Sequence, residues 1–300
     1  MTDTAPALSL IVATTHGWPG YRAIFLTHRA AVDAVDGEMI VADSSGNPAP
    51  GAAEVGPRVT WLSAPGDGVF QLRGRAYPLA RGQIVAHTED HCVLEPDWAT
   101  TALALHREYP AAAVIGGVVE NGSREQLGDW ANFFIGHVWD MPGVGHGRRV
   151  SSAGMTCVTY KHRAIAGMTT VGEMGVNETY HQRLLSQRGE QVLIDDRLRC
   201  SHVQSDGIRR AVERTWHAAR AGAAMRRAKL SPRMILRIAL TPVLPLVYSA
   251  AIVRSVAERR YHPWRALASA PYIVVFLGVR AAAEVVGYVA GIGDSANRFD

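Results

Sequence analysis

The 300-residue sequence predicts an α/β protein with a doubly wound, mostly parallel sheet and a C-terminal helical extension. Three observations predict it. Short apolar runs alternate with segments of helical spacing through the first two thirds of the chain, the pattern of strands joined by crossover helices. The apolar runs stop in polar clusters, and in such sheets ligands sit beyond the C-terminal ends of the strands. Beyond residue 205 the composition turns basic and apolar. Between Ser205 and Arg265 thirteen arginines or lysines stand against three acidic residues, while the whole chain carries only +4.

Leu8 to Thr15 (LSLIVATT) is a continuous apolar run ending in small polar residues, as a buried parallel strand does. Pro19 to Val35 follows as a helix, with Tyr21, Ile24, Phe25 and His28 on one face. Glu38 to Asp43 is a second strand, closed by the loop Ser44-Ser45-Gly46-Asn47-Pro48. Val59 to Ser63 is a third strand, Val69 to Ala80 a helix, and Gln83 to Thr88 a fourth strand ending at Glu89-Asp90-His91. The strand-end rule thus singles out Thr14 and Thr15, Asp43, and Glu89 to His91. A helix from Thr100 to Tyr109 and a strand from Ala111 to Val119 come next. Trp130, Phe133 and Phe134 have helical spacing and are expected in a core, with sugar stacking the alternative. Gly143 to Gly147 reads as a mobile loop, and Leu193 to Ser205 as a strand ending in His202.

The tail opens with a helix from Asp206 to Arg233 bearing a basic stripe of Arg210, Arg214, His217 and Arg220. That stripe faces a donor diphosphate, lipid headgroups or solvent. Ile238 to Val253 is apolar but interrupted by Pro242 and Pro245; Ala266 to Ala290 is apolar except for Arg280 and Glu284, four apart and able to pair. A spanning helix needs about 20 continuous apolar residues. In-plane or re-entrant helices are therefore expected, with a two-span hairpin or an oligomer interface as alternatives. A hydrophobic content of 48% fills a real core. Nucleic acid is excluded as a partner by the lack of interleaved basic and aromatic residues and of zinc-finger spacing. Three scattered cysteines argue for a reducing compartment, and the polar N-terminus lacks the pattern of a signal peptide. The expected location is the cytoplasmic face of the cell membrane, the basic tail meeting its anionic surface.

Taken in order, these segments resemble family 2 glycosyltransferases, whose fold is the GT-A nucleotide-sugar-binding type. LSLIVATTHG is similar to the family's first strand, with Ala13 in place of its proline and Thr15-His16 in place of Tyr-Asn. VADSSGN matches, through Asp43, the strand-end aspartate that holds the nucleoside. Leu72 to Trp98 (LRGRAYPLARGQIVAHTEDHCVLEPDW) resembles the family's Arg-Asn-x-Gly, apolar strand, acidic triplet and Pro-x-Trp; Arg73 is kept, while Gly74 and Ala76 replace Asn and Gly. The triplet, usually Asp-x-Asp, is Glu89-Asp90-His91 here. GMTCVTYKHRAI (Gly154 to Ile165) looks like Gly-x-Asn-x-x-Tyr-Arg-Arg, with Cys157 or a neighbour at the Asn position. NETYHQRLLSQRG (Asn177 to Gly189) looks like Glu-Asp-x-Asp…Arg…Gly, which puts the family's catalytic aspartate on Glu178.

The resemblance implies an inverting, metal-assisted transfer from a nucleoside diphosphate donor, UDP-hexose or UDP-N-acetylhexosamine. The acceptor would be a lipid-linked or envelope glycan. It implies residues 1–205 as the catalytic domain, 1–98 binding nucleotide and 99–205 acceptor, with 206–300 as a membrane-associating tail and a possible homo-oligomer. Thr14, Asp43, Arg73, Glu89 and Asp90 would bind the donor. His91 and His202 would hold Mn²⁺ or Mg²⁺, imidazole favouring Mn²⁺; a slip of register would put Asp90 on the metal instead. Glu178 would take the proton of the acceptor hydroxyl, the bland reading being a first-turn helix acid. The departures from pattern leave a rival open, an inactive nucleotide-sugar-binding or scaffold protein. A nucleotidyltransferase is opposed by the lack of a Gly-rich loop after the first strand. Acceptor choice would rest on loops between Asn121 and Met174.

Overall fold

The computed structural model describes residues 5–166, 168, 175–205, 207–226 and 232–298. Residues 169–174 of the expected acceptor loops lie outside the described residues, as do Asp206 and residues 227–231 of the helix expected from Asp206 to Arg233. The chain divides into two compact units, Met1–Glu120 with Val144–Val203, and Asn121–Gly143 with Gln204–Asp300.

The first unit is the α/β part. Strands β1 (Leu8–Thr14), β2 (Glu38–Asp43) and β4 (Ile84–Glu89) bury nearly every residue, as runs covered on both faces must. Helix α1 (Gly17–Asp33) turns Tyr21, Phe25 and His28 inward. A short helix α2 (Ala52–Val55), strand β3 (Val59–Ser63) and helix α3 (Val69–Ala76) complete the first half. The strands run parallel in the order β3-β2-β1-β4. In this register Thr14 stands beside Asp43, and Ala13 beside Glu89. The polar strand ends therefore share one edge, the edge where an α/β sheet binds its ligand.

Beyond β4 the pairing changes direction. The remaining strands are β5 (Cys92–Leu94), β6 (Ala112–Asn121), β7 (Arg148–Arg149), β8 (Val158–Lys161) and β9 (Gln191–His202); α4 (Trp98–Glu108), α6 (His162–Ile165) and α7 (Glu178–Gln187) lie between them. The sheet continues β4-β8-β6-β9-β5, with antiparallel β4–β8, β8–β6 and β9–β5 pairs. The fold class is thus α/β with a Rossmann-like parallel half and a C-terminal helical part. Gly117 of β6 is forced by space: a β-carbon there would come within 2.6 Å of the Cys157 sulfur and 2.3 Å of the Leu198 carbonyl. The stretch expected to be a mobile loop is instead anchored. Gly145 N donates to Asp196 at 2.7 Å and Gly147 N to Asp195 at 2.9 Å.

The second unit is helical: α5 (Leu127–Gly136), α8 (Ile208–Met225), α9 (Pro232–Leu240), α10 (Leu244–Arg259) and α11 (Pro263–Ala290). Residues 121–143, read from sequence as part of the acceptor half, cluster with these helices. Within this unit, Trp130, Phe133 and Phe134 of α5 are buried, as core residues. In α11 the buried Glu284 is paired by Arg280 one turn earlier at 3.3 Å and by Arg226 at 3.2 Å. That pairing explains how two charges lie in an apolar helix.

Candidate active site

All the sequence-selected site residues lie in the first unit. β4 ends at Glu89, and only Asp90 and His91 separate it from β5, whose Cys92 pairs with His202 at the end of β9. Val203 N donates to the His91 carbonyl at 2.8 Å and fixes the crossing. Two histidines 111 residues apart are thereby brought together edge to face, their ring centroids 4.5 Å apart and their planes at 81°. The Nε2 atoms of His91 and His202 stand 2.9 Å apart, and Glu89 Oε2 lies 3.6 Å from the first and 3.5 Å from the second.

Among the described residues, Glu89, His91 and His202 are the group able to hold a metal ion. The spacing fits. Ligands about 2.1 Å from one ion stand roughly 3 Å apart at right angles and roughly 3.4 Å apart at tetrahedral ones. The three side chains are each partly open to solvent, so an ion and a ligand have access. Two nitrogens and one carboxylate oxygen suit Mn²⁺ or a later divalent ion better than Mg²⁺.

Asp90 faces away from this point. Its Oδ1 meets His91 Nδ1 at 2.8 Å, while Oδ2 accepts from the Thr14 hydroxyl at 2.6 Å and lies 2.8 Å from His16 Nδ1. An Nδ1–H donated to Asp90 turns the Nε2 of His91 toward His202 and Glu89, the carboxylate–histidine arrangement that orients metal-binding imidazoles. Burial disfavours charge on His91, but the bond to Asp90 and the charge of Glu89 outweigh it and raise the ring to about 9. Asp90 is pulled in the other direction: burial would raise it, and the bonds from His16 and His91 bring it well below the usual carboxylate range. Glu89 is likewise lowered, burial being overcome by His202, His91 and Arg73. Thr14 and Asp90, expected as donor contacts, are both buried, Thr14 donating to Asp90 and Asp90 bonding His91.

Arg73, fully buried on α3, links this cluster to a second acid. Its Nη2 donates to Glu89 at 3.2 Å and its Nη1 to Glu178 at 3.0 Å. Glu178 opens α7, whose first turn is capped by the Asn177 side chain accepting from Tyr180 N at 2.9 Å. The approach to α7 is held by Val176 N donating to the Phe70 carbonyl at 2.8 Å. Gly175 is required there: its φ is +88°, and a β-carbon would sit 2.1 Å from that same carbonyl oxygen. Glu178 is 0% exposed; its other oxygen accepts from the Tyr77 hydroxyl at 3.3 Å. Burial raises its affinity for a proton, with Arg73 opposing. In this arrangement no hydroxyl from solvent reaches the carboxylate.

Asp43 lies apart from the network. Its Oδ1 accepts from Ser45 N at 2.8 Å and its Oδ2 from the Trp61 indole at 3.3 Å. Sequence reasoning missed His16, Thr156 and Tyr77. The Thr156 hydroxyl donates to Glu89 Oε2 at 3.3 Å. His16 carried a signal, as a departure from the resembled Tyr-Asn; Thr156 and Tyr77 carried none, because only folding brings them to Glu89 and Glu178.

No protein-family model matches the chain, and no curated protein matches it. Solved structures do. The chain is similar to the mannosyltransferase PcManGT from Pyrobaculum calidifontis, in complex with GDP-Man and Mn²⁺, with 16% identity, a TM-score of 0.54, and coverage of 94% of this chain and 88% of that one. It is also similar to TarS 1–349 from S. aureus, in complex with UDP-GlcNAc, with 11% identity, a TM-score of 0.48, and coverage of 93% and 90%. The likeness to PcManGT, over nearly the whole chain, establishes a shared fold.

Proposed function

We propose that the chain is a glycosyltransferase that moves a sugar from a nucleoside diphosphate donor to a hydroxyl acceptor with inversion at the anomeric carbon. The observation that carries this reading is the convergence of Glu89, His91 and His202 at the ligand-binding edge of the sheet, one guanidinium away from the buried acid Glu178. A fold shared with a mannosyltransferase solved with GDP-Man and Mn²⁺ supports it.

A divalent cation held by Glu89, His91 and His202 would neutralise charge on the departing nucleoside diphosphate. Asp90, braced by Thr14 and His16, keeps His91 turned toward that position. Asp43, closing β2, is assigned to the donor's nucleoside. Arg73 is assigned to the donor's phosphates, and Glu178 to the acceptor proton. These last two roles are coupled: the guanidinium must leave Glu178 for the carboxylate to meet a hydroxyl, and donor phosphates offer it the alternative partner. The raised proton affinity of Glu178 suits a base working near neutral pH. The donor is proposed to be UDP-hexose or UDP-N-acetylhexosamine, and the acceptor a lipid-linked or envelope glycan at the cytoplasmic face of the membrane. The basic tail and the two apolar helical stretches Ile238–Arg259 and Pro263–Ala290 support the membrane assignment.

Melting curves with UDP, GDP, CDP and TDP, each with Mn²⁺, Mg²⁺ or EDTA, test the donor class, since ligands of the folded state raise its midpoint. A metal-dependent rise with one nucleotide is expected; no rise with any of them removes the donor site. One observation favours a second reading, a nucleotide-sugar-binding protein without turnover: Glu178 is fully buried in an ion pair. Donor hydrolysis or transfer, abolished by chelator, excludes that reading.

A further inference from the structure

One end of the second unit carries chemistry that the donor site does not use. Between α10 and α11 the chain turns through Arg260 and His262, both in the left-handed region with φ of 54° and 44°. Such residues persist only where their surroundings hold them. Here Arg259 donates to the carbonyls of Met141 and Trp139 at 2.8 and 3.1 Å. The His262 ring lies 4.8 Å from that of Trp130, and the Arg265 guanidinium stands 5.8 Å over the same indole. The turn bounds an open cavity of about 660 Å³ lined by Arg260, Tyr261, His262, Pro263, Trp264 and Arg265.

Two indoles stand out into solvent at this end, Trp139 at 64% and Trp264 at 79% exposure. The adjoining helices also expose large aliphatic side chains, Leu246, Val247 and Val253 on α10 and Leu267, Val274 and Val275 on α11. Exposed aliphatic faces that run up to indoles and guanidinium groups match the depth profile of a bilayer surface. Aliphatic groups suit the acyl region, indoles the headgroup level and arginines the phosphates. The basic stripe of α8 is a poorer candidate. His217 Nδ1 meets Ser295 Oγ at 2.9 Å, and Arg220 Nε donates to the Gly291 carbonyl at 2.9 Å, both inside the unit.

We propose that the α10–α11 turn is a docking site for the phosphate headgroup of an anionic phospholipid, with Arg260 and Arg265 meeting the phosphate and Trp264 and Trp139 resting at headgroup level. This rests on the membrane-surface reading above and narrows it to one end of one helix pair and to one lipid charge class.

The test is co-sedimentation of the full-length protein with vesicles of phosphatidylcholine alone or mixed with phosphatidylglycerol. The wild type should pellet preferentially with the anionic vesicles and be released by salt. Arg260→Gln with Arg265→Gln should partition roughly 25-fold more weakly, each surface cation near an anionic bilayer contributing roughly fivefold. Trp264→Ala should weaken binding and Trp264→Phe largely keep it, with unchanged melting midpoints excluding misfolding. Full binding by the double arginine variant overturns the assignment of the turn and leaves the membrane reading standing. Equal binding to both vesicle types overturns the anionic headgroup. Displacement by inorganic phosphate would make the occupant a soluble anion, and a dimer by light scattering that dissociates in Trp264→Ala would make the turn an interface between copies. Failure of the wild type to bind any vesicle removes the membrane reading itself.

Discussion

Glu89, His91 and His202 offer ligand atoms within 3.6 Å of one another, and a further acid stands behind the first histidine. Asp90 binds His91 Nδ1 and is itself held by Thr14 and His16. Asp90→Asn keeps the shape but loses the charge that orients the ring. It should weaken Mn²⁺ binding by about 10- to 100-fold in titration calorimetry, as loss of such partners does; unchanged affinity would release Asp90 from this role. Glu178→Gln separates binding from chemistry. Donor-induced thermal stabilisation should persist while transfer falls by roughly 100-fold or more, the usual worth of a general base. Retained turnover would assign the proton to another group. The sequence pointed to each acid by position, but not to which way it faces. Asp90 and His91 are neighbours in the chain, and only the crossing of β5 with β9 decides that the histidine turns inward.

Elements are set by close approaches that single substitutions test. Gly287 of α11 lies against α8, where a β-carbon would come within 2.4 Å of the Arg220 carbonyl oxygen and 2.7 Å of the Ala223 β-carbon. Gly287→Val should destabilise the chain by about 1–3 kcal/mol, the common cost of overpacking, read as a lower midpoint in urea. An unchanged midpoint would mean that α8 and α11 pack less tightly than described. The parallel strands were legible because both their faces are buried and their sequences are unbroken apolar runs. The antiparallel joins of β8 and β9 were not, because strand direction depends on partners distant in sequence. The helix α5 was readable from its spacing, whereas its place among the C-terminal helices was not.

At the scale of the molecule, acid should unfold the protein through its buried imidazoles. Burial lowers His28 from 6.5 to about 4, its bond to the Cys92 carbonyl only partly opposing, and lowers His106 to about 4 as well. In both cases the unfolded chain binds the proton more tightly. Their contribution is therefore full above pH 6.5 and is lost as pH falls toward 4, at about 1.4 kcal/mol per pH unit for each group. His91, raised to about 9, acts in another window: its contribution is present below 6.5 and lost as pH rises toward 9. Melting curves in EDTA should accordingly show a midpoint that falls steadily from pH 6.5 to 5; a flat profile there would mean that these rings protonate in place. For the membrane reading, in-plane helices predict release of the protein by alkaline carbonate, and retention would instead indicate spanning helices. Arg280 and Glu284 favour release, since their paired charges lie within α11.

Legible in the sequence alone were the α/β class, the polar strand ends, the helical tail, and Glu89, Asp90, His91, Glu178 and His202 as candidates, though not His16. These follow from local rules: burial writes apolar runs, and polar residues close them. It took the folded chain to show that His202 meets His91, that Asp90 bonds both Thr14 and His91, that Arg73 joins Glu89 to a buried Glu178, and that exposed cations and indoles gather at the turn between α10 and α11. Each of these depends on contacts between residues far apart in the chain, whose partners are chosen by packing and hydrogen-bond geometry that no local pattern encodes.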